Sequence, residues 1–143
     1  MNWTFDQPEF GSIIRVRFDR IFYHYGIYVS DEEIIQFGYN PNLCSDMTAK
    51  DIAICTSDME RFLCGGFLET EKPDAKEAKR RRTADETVLA ARNRLGETGY
   101  SILHNNCEHF AFECAYGERR LCVETRSVRE KVRSALGIES ERN

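Results

Sequence analysis

The feature that most constrains this sequence is a pair of neighbouring segments that together predict an antiparallel β-hairpin. Phe22–Val29 is rich in aromatic and β-branched residues, and Glu33–Gly38 predicts the returning strand after a polar turn. A hairpin centred on Ser30 would set His24 directly opposite Gln36. Opposed Cβ atoms in such a pair lie about 4.5–5.5 Å apart, so the sequence predicts a hydrogen bond between imidazole and amide. A turn centred one residue later would offset the two side chains.

The other predicted elements place further strands in the first half of the chain and helices in the second, which indicates an α+β arrangement. The strands are Ser12–Phe18 and Ile52–Cys55, and the helices begin with capping boxes at Ser57, Thr83 and Ser127.

The segment Cys107–Tyr116 predicts a helix whose first residue is a cysteine. Asn106 before it is a favoured N-cap residue, and Gly117 after it favours termination. Unpaired backbone N–H groups and the positive end of the helix dipole meet at Cys107, so we expect the thiolate to be favoured there, as in many reactive cysteines. The alternative is that Cys107 is a small buried apolar residue, which is the commoner role of a free cysteine.

A cysteine nucleophile needs a base, and the sequence offers three histidines. His109 is two residues from Cys107, about 200° around the helix, so we expect it to point away and to be structural. His104 precedes the helix and remains a candidate. His24 is the better candidate, because Gln36 is placed to orient its ring.

Length and charge limit which classes of function are possible. The chain has 143 residues, 41% of them hydrophobic and 31% charged, which suits one domain over residues 1–143. A net charge of -4 argues against nucleic acid as a partner. No apolar run is long enough to span a membrane and no secretory signal is recognisable, so we expect a cytoplasmic protein. No cofactor is predicted.

The six cysteines are scattered without a C-x-x-C pair, so reduced thiols are favoured over a disulfide framework. A zinc site formed by Cys107, His109 and Cys114, with or without His104, is an alternative, but the spacing matches no common ligand pattern.

The segment Lys72–Arg82 is basic and poor in apolar residues. We expect a solvated loop or helix end without core positions. The alternative is a peripheral contact with anionic lipid headgroups.

Several motifs resemble the lecithin:retinol acyltransferase family. Asn106–Phe110, with Gly99 and Tyr100 upstream, is similar to its N-C-E-H-F signature, and His24–Val29 is similar to its H-W-x-I-Y-V strand. The similarity extends to three further segments, Gly11–Ile14, Glu60–Gly66 and Thr87–Gly96. The resemblance implies a circularly permuted papain-like α+β fold, in which an N-terminal antiparallel sheet packs against the helix that carries the nucleophile.

The family includes phospholipase A/acyltransferases, so the resemblance implies a thiol acyltransferase or hydrolase. Cys107 would be acylated by an acyl ester such as a glycerophospholipid, with His24 as its base. The family commonly has a second histidine where this chain has Gln36, which can accept a hydrogen bond from His24 Nδ1–H but cannot carry charge. Eukaryotic members typically end in a hydrophobic anchor that Gly137–Asn143 lacks, so soluble acyl substrates are also expected.

Two other functions remain open. Permuted papain-like folds also cleave amide bonds, so a cysteine peptidase or amidase is one alternative. The other is a non-catalytic binding module that kept the fold, for which the missing second histidine is the sequence indication.

Overall fold

The structure, a computed structural model, describes residues 2–17, 22–39, 51–101, 105–119, 126, 130–131 and 133–137. The strands are β1 (Asn2–Thr4), β2 (Ile13–Arg17), β3 (Tyr23–Ser30), β4 (Glu33–Tyr39), β5 (Ile52–Ser57) and β6 (Leu68–Lys72). The helices are α1 (Met59–Leu63), α2 (Ala75–Arg80), α3 (Ala84–Arg92) and α4 (Cys107–Tyr116). The strands form one antiparallel six-stranded sheet in the order β1-β6-β2-β3-β4-β5.

The two faces of the sheet carry separate apolar clusters, because side chains alternate along each strand. Tyr25 and Ile27 of β3 face α4 and share a large buried cluster with Phe110. Tyr28 faces the other way and joins a smaller cluster with Phe62 of α1. The sheet is therefore covered by α4 on one side and by α1 on the other.

Most predicted elements are confirmed. Strands β2 to β5 lie where the alternation and the β-branched residues predicted them. Helix α3 follows Thr83, whose side chain forms the predicted capping box with Glu86. Helix α4 runs between Asn106 and Gly117, as predicted. The predicted helix at Ser127 falls largely outside the described residues.

The cap of α1 differs from the prediction by one residue. The N-cap is Asp58, whose Oδ1 accepts a hydrogen bond from the backbone N–H of Arg61 at 2.8 Å. Ser57 is instead the last residue of β5, and its hydroxyl donates to the carbonyl of Asp58 at 3.0 Å. Asp58 takes over the capping role because its carboxylate reaches the free amide of the first turn.

Strand β6 was not predicted, because the sequence Leu-Glu-Thr-Glu-Lys lacks apolar alternation. Its two glutamates are accommodated in the fold by pairing with arginines. Glu69 lies 3.1 Å from the guanidinium of Arg15, and Glu71 lies 3.2 Å from that of Arg81. The hydroxyl of Tyr116, the last residue of α4, donates to Glu71 at 2.5 Å. This buried polar cluster joins the far end of α4 to the sheet.

The basic segment Lys72–Arg82 was predicted to be a solvated loop or a frayed helix end, and the structure forms a capped helix there. It includes α2, which is capped by Asp74, and most of its side chains are exposed. Its Arg81 guanidinium also donates to the carbonyl of Gly11 at 2.8 Å, and Glu77 is buried. The expectation that this segment lacks core positions is therefore wrong.

Candidate active site

Helix α4 begins in a reciprocal cap. Asn106 Oδ1 accepts hydrogen bonds from the backbone N–H groups of Glu108 and His109, both at 3.0 Å. The backbone N–H of Asn106 in turn donates to His109 Nδ1 at 3.2 Å. His109 therefore has the predicted structural role, and Cys107 is held as the first helical residue.

The hairpin register differs from the prediction. Gly26, rather than His24, pairs with Gln36. The reason is that the turn closes between Ser30 and Glu33, and a register shift follows directly after it. A displacement of two residues keeps both side chains on the same face of the sheet. The predicted contact is therefore present as a diagonal one, with 2.8 Å between His24 Nε2 and Gln36 Oε1.

The amide of Gln36 determines which imidazole nitrogen carries the proton. Its Nε2 donates to the backbone carbonyl of Tyr39 at 3.1 Å, so its Oε1 is left to accept from His24. The donor is the Nε2–H of His24, and Nδ1 keeps its lone pair. The expected hydrogen bond through Nδ1–H is therefore wrong, and Nδ1 is the nitrogen available as a base.

The imidazole of His24 lies in an apolar setting. Its ring packs against Phe62, with ring centroids 5.0 Å apart. It also lies over Gly38, where an added Cβ would stand 3.1 Å from the ring Cε1. Burial lowers the pKa of His24, and the hydrogen bond to Gln36 opposes that shift only in part. The imidazole is therefore neutral at neutral pH.

The thiol of Cys107 lies against the strand that bears His24. Its Sγ is 4.0 Å from the carbonyl oxygen of Tyr23, which belongs to the peptide bond joining Tyr23 to His24. The backbone of Tyr25 and the hydroxyl of Tyr100 also hydrogen-bond to the sulfur. Cys107 thus sits at the start of β3, although only 6% of it is exposed.

Burial raises the pKa of Cys107 to about 11. The charge of Glu108 acts in the same direction, while the hydrogen bonds to the sulfur favour the thiolate. Desolvation outweighs the hydrogen bonds, so the expected resting thiolate is wrong. At neutral pH the site holds a neutral thiol and a neutral imidazole.

The structure brings two of the three predicted site residues into direct contact. His24 and Gln36 are hydrogen-bonded, and Cys107 lies beside the backbone of the same strand. Among the interactions of the described residues, no hydrogen bond joins the thiol to the imidazole. The His24 ring packs on Phe62 on the α1 face of the sheet, whereas Cys107 belongs to the cluster on the α4 face, so the two groups meet only if the His24 side chain turns around the start of β3. His104, the other candidate base, lies outside the described residues.

Tyr100 is a site residue that the sequence alone did not single out for a chemical role. Its ring meets Phe37 edge-on, with centroids 5.1 Å apart. Burial raises the pKa of Tyr100, so its hydroxyl stays protonated and can donate to the sulfur of Cys107. The available signal was the Gly99-Tyr100 pair upstream of the cysteine, but only folding brings the phenol to the thiol.

The proposed zinc ligands do not form a cluster within the described part of the chain, where no three His, Cys, Asp or Glu side chains are arranged to hold a metal. The cysteines described are all free, namely Cys55, Cys64, Cys107 and Cys114.

Together, the fold and the site define a mixed α+β protein in which a helix-initiating cysteine lies against a strand whose histidine is supported by a glutamine. The family model described as lecithin retinol acyltransferase matches residues 6–120, which is more than half of the chain. The chain belongs to the lecithin retinol acyltransferase family.

Curated relatives carry the same name. The lecithin retinol acyltransferase of Mus musculus is 28% identical over 116 residues, covering 68% of this chain and 50% of the relative. That of Homo sapiens is 29% identical over 112 residues, covering 66% of this chain and 49% of the relative. The chain thus spans about half the length of these relatives. None of the helices in the described ranges is both long enough and apolar enough to cross a membrane.

Proposed function

We propose that this protein is a cysteine-dependent acyltransferase or hydrolase that forms an acyl-cysteine intermediate on Cys107. His24 is the base, and Gln36 orients it. The observation that carries the proposal is the position of the thiol, 4.0 Å from the carbonyl that leads into His24, at the start of a helix. The hydrogen bond from His24 to Gln36 supports it, because it leaves Nδ1 free to take a proton.

The reaction begins from a neutral pair, because the pKa of Cys107 is raised and that of His24 is lowered. The His24 side chain first turns toward the α4 face; as the sulfur then attacks the ester carbonyl, the thiol proton passes to His24 Nδ1 and a carbon–sulfur bond forms. The tetrahedral intermediate then expels the alcohol, which takes the proton back from His24. General-base help of this kind contributes about 10²–10⁴ in rate.

The oxyanion is bound by the backbone N–H of Cys107 itself. The side chain of Asn106 already accepts from the amides of Glu108 and His109. Among the described residues, no group accepts a hydrogen bond from the Cys107 amide. A free amide at a helix start is well suited to a developing negative charge.

The acyl-cysteine is resolved by water, which gives hydrolysis, or by an amine or hydroxyl acceptor, which gives transfer. In both cases His24 takes the proton of the attacking group, the carbon–sulfur bond breaks, and the thiol is restored. The acyl donor we propose is a lipid ester, with glycerophospholipid as the class. The names of the relatives support this choice, since they describe acyltransferases that use lecithin.

The proposal includes the fold and the domain organisation. We propose a circularly permuted papain-like arrangement that forms a single domain over residues 1–143. The order of the elements supports it, because the strand with His24 precedes the helix with Cys107 and the two meet in space.

The test is intact mass spectrometry after incubation with phosphatidylcholine vesicles, with Cys107→Ser as the negative control. We expect an added acyl mass that maps to Cys107 and is released by neutral hydroxylamine, as a thioester is. Cys64→Ser is the matched control, because Cys64 is exposed and would report non-enzymatic acylation. An adduct that persists in Cys107→Ser, or the absence of both adduct and free fatty acid, would contradict the proposal and direct the work to peptides.

The role of His24 is tested separately by alkylation with iodoacetamide at neutral pH. We expect Cys107 to react faster in the wild type than in His24→Ala, because the imidazole accepts the thiol proton. Equal rates in the two proteins would exclude His24 as the base. Alkylation no faster than that of free cysteine, without turnover of any ester or peptide, would favour the binding module.

A further inference from the structure

Three aromatic side chains are exposed at one end of the sheet. At this end β6 and β3 start and β2 and β4 finish, and these four are neighbouring strands. Phe67 precedes β6 and is 84% exposed, Phe22 precedes β3 and is 37% exposed, and Tyr39 ends β4 and is 43% exposed. We call these three residues the aromatic rim.

The exposure of Phe67 is built into the turn that precedes it. Gly66 lies so close to Val16 that an added Cβ would stand 2.6 Å from the valine Cγ2. Cys64 takes a left-handed conformation, with φ of 46°, where α1 ends. The turn is therefore packed onto the sheet, and Phe67 is held outward from it rather than carried on a loose loop.

One arginine stands within the aromatic rim. Arg17 ends β2, between the strands that follow Phe67 and Phe22, and it is exposed. Its guanidinium donates to the hydroxyl of Tyr23 at 3.0 Å. Adjacent strands lie about 4.8 Å apart, so the four strands from β6 to β4 together span about 14 Å. The guanidinium of Arg17 therefore lies within this width, between the strands that follow Phe67 and Phe22.

The aromatic rim lies at the same end of the sheet as the candidate active site. Cys107 Sγ lies 4.0 Å from the carbonyl of Tyr23, which is the first residue of β3 and follows Phe22. Tyr39 ends β4, and Phe37 of the same strand meets the ring of Tyr100 edge-on, with centroids 5.1 Å apart. The exposed aromatic residues and the sulfur therefore lie near the same ends of β3 and β4.

We propose that the aromatic rim and Arg17 form a docking surface for a phospholipid bilayer that contains anionic lipids. This inference rests on the proposed function, in which the acyl donor is a lipid ester. Aromatic side chains favour the membrane–water interface, and clustered exposed apolar groups on a soluble domain mark an interaction site. Arg17 supplies attraction to anionic headgroups. Docking in this way presents the acyl ester directly to Cys107.

The basic segment Lys72–Arg82 is not part of this surface. Strand β6 starts beside Phe67 at the aromatic rim and ends at Lys72, so the basic segment begins at the opposite end of the sheet. Arg81 within it is held by Glu71. The two candidate membrane contacts are therefore at opposite ends of one strand, and substitutions can separate them.

The test is co-sedimentation with vesicles of phosphatidylcholine and phosphatidylserine, in a Cys107→Ser background so that no turnover occurs. We expect Phe67→Ser to weaken binding about tenfold, because a buried aromatic side chain is lost from the interface. Arg17→Gln should weaken binding to these vesicles but not to phosphatidylcholine alone. Leu89→Ser is the matched control, since Leu89 is 60% exposed on α3, and it should bind as the parent does.

Equal binding of Phe67→Ser and the parent, or no binding of the parent, would overturn the docking surface. So would a loss of binding in Lys76→Gln/Lys79→Gln with Phe67→Ser unaffected, because the basic segment would then be the contact. With Cys107 intact, Phe67→Ser should keep its activity on a water-soluble short-chain ester and lose it on vesicles. Rim-dependent binding without any acyl adduct would leave the docking surface in place and overturn the proposed reaction instead.

Discussion

The two ends of α4 each hold a buried thiol, but they are built differently. Cys107 at the first turn has a pKa raised to about 11 by burial, and Cys114 near the last turn has a pKa raised to about 12 for the same reason. The thiol of Cys107 is hydrogen-bonded by a strand backbone and by Tyr100. Cys114 is instead influenced by the charges of Arg94 and its neighbours.

Burial and thiol pKa therefore do not distinguish the proposed nucleophile from the structural cysteine. What distinguishes them is the set of groups that can move a proton or hold a charge beside the sulfur. At the last turn of α4 the polar groups are committed to one another, since Tyr116 and Arg81 both bind Glu71. In the proposed function the first turn serves the reaction, and the buried ion pair at the last turn serves stability.

The largest expected effect comes from replacing each of the two cysteines in a separate variant. Cys107→Ser should lower acyl transfer about a thousandfold or more, because the nucleophile is lost. Cys114→Ala should keep the activity within a few-fold but lower the free energy of unfolding by about 1–2 kcal/mol, because it leaves a small void. Product formation and urea unfolding measure the two effects, and equal losses of activity would refute the division of roles.

The next effect concerns the last turn of α4. Arg81→Leu should lower the free energy of unfolding by about 3–5 kcal/mol, because Glu71 remains buried without its cation. Adding Glu71→Gln should restore part of the loss. Arg92→Leu, which removes an exposed pair with Glu33, should cost less than about 1 kcal/mol. Urea titrations measure the free energy of unfolding of each variant. Equal losses for Arg81→Leu and Arg92→Leu would show that the buried cluster does not stabilise the last turn of α4.

The third effect is a change in pH dependence at the first turn. In the proposed mechanism His24 acts as a base when neutral, and its lowered pKa keeps it neutral at pH values where an ordinary histidine is charged. Gln36→Glu places a negative charge beside the ring and raises the pKa of His24, so the acidic limb of kcat/KM moves to higher pH. Activity near pH 5.5 should fall about tenfold relative to the wild type. Glu33→Gln, another charge change on β4, should leave the profile in place.

The smallest effect concerns the phenol beside the sulfur. Tyr100→Phe removes one hydrogen bond to Cys107 while the ring can still pack on Phe37, so alkylation of Cys107 should slow about three- to tenfold. Tyr116→Phe removes the hydroxyl at the other end of α4 and should leave that rate unchanged. Comparable slowing in both variants would indicate loosening of the whole helix rather than loss of a specific donor.

Local signals account for the parts of the fold that the sequence predicted. The cap at Asn106, the terminator Gly117 and the capping box at Thr83 each involve residues within one helix, so their chemistry is legible from spacing alone. The aromatic and β-branched residues of β3 are equally local. For the same reason the sequence could predict which residue starts the helix and which strand bears the histidine.

The features that were missed depend on contacts between distant residues. Glu69 is half-buried in β6, where Arg15, 54 positions earlier, pairs with it. The pKa of Cys107 depends on burial against β3, whose Tyr23 is 84 positions away. The register places Gly26, rather than His24, opposite Gln36. It is set by the residues at which the turn closes, and the pattern of apolar residues along a strand does not specify them.

The turn at the end of α1 has a practical consequence for spectroscopy. Of the four cysteines that the structure describes, Cys64 is exposed and the other three are buried. It stands three positions before Phe67, on a segment packed against Val16. A fluorophore or nitroxide attached there would be rigidly mounted next to an outward-facing aromatic ring. The native chain thus offers its own reporter position for measuring immersion depth and local polarity, without a thiol having to be introduced.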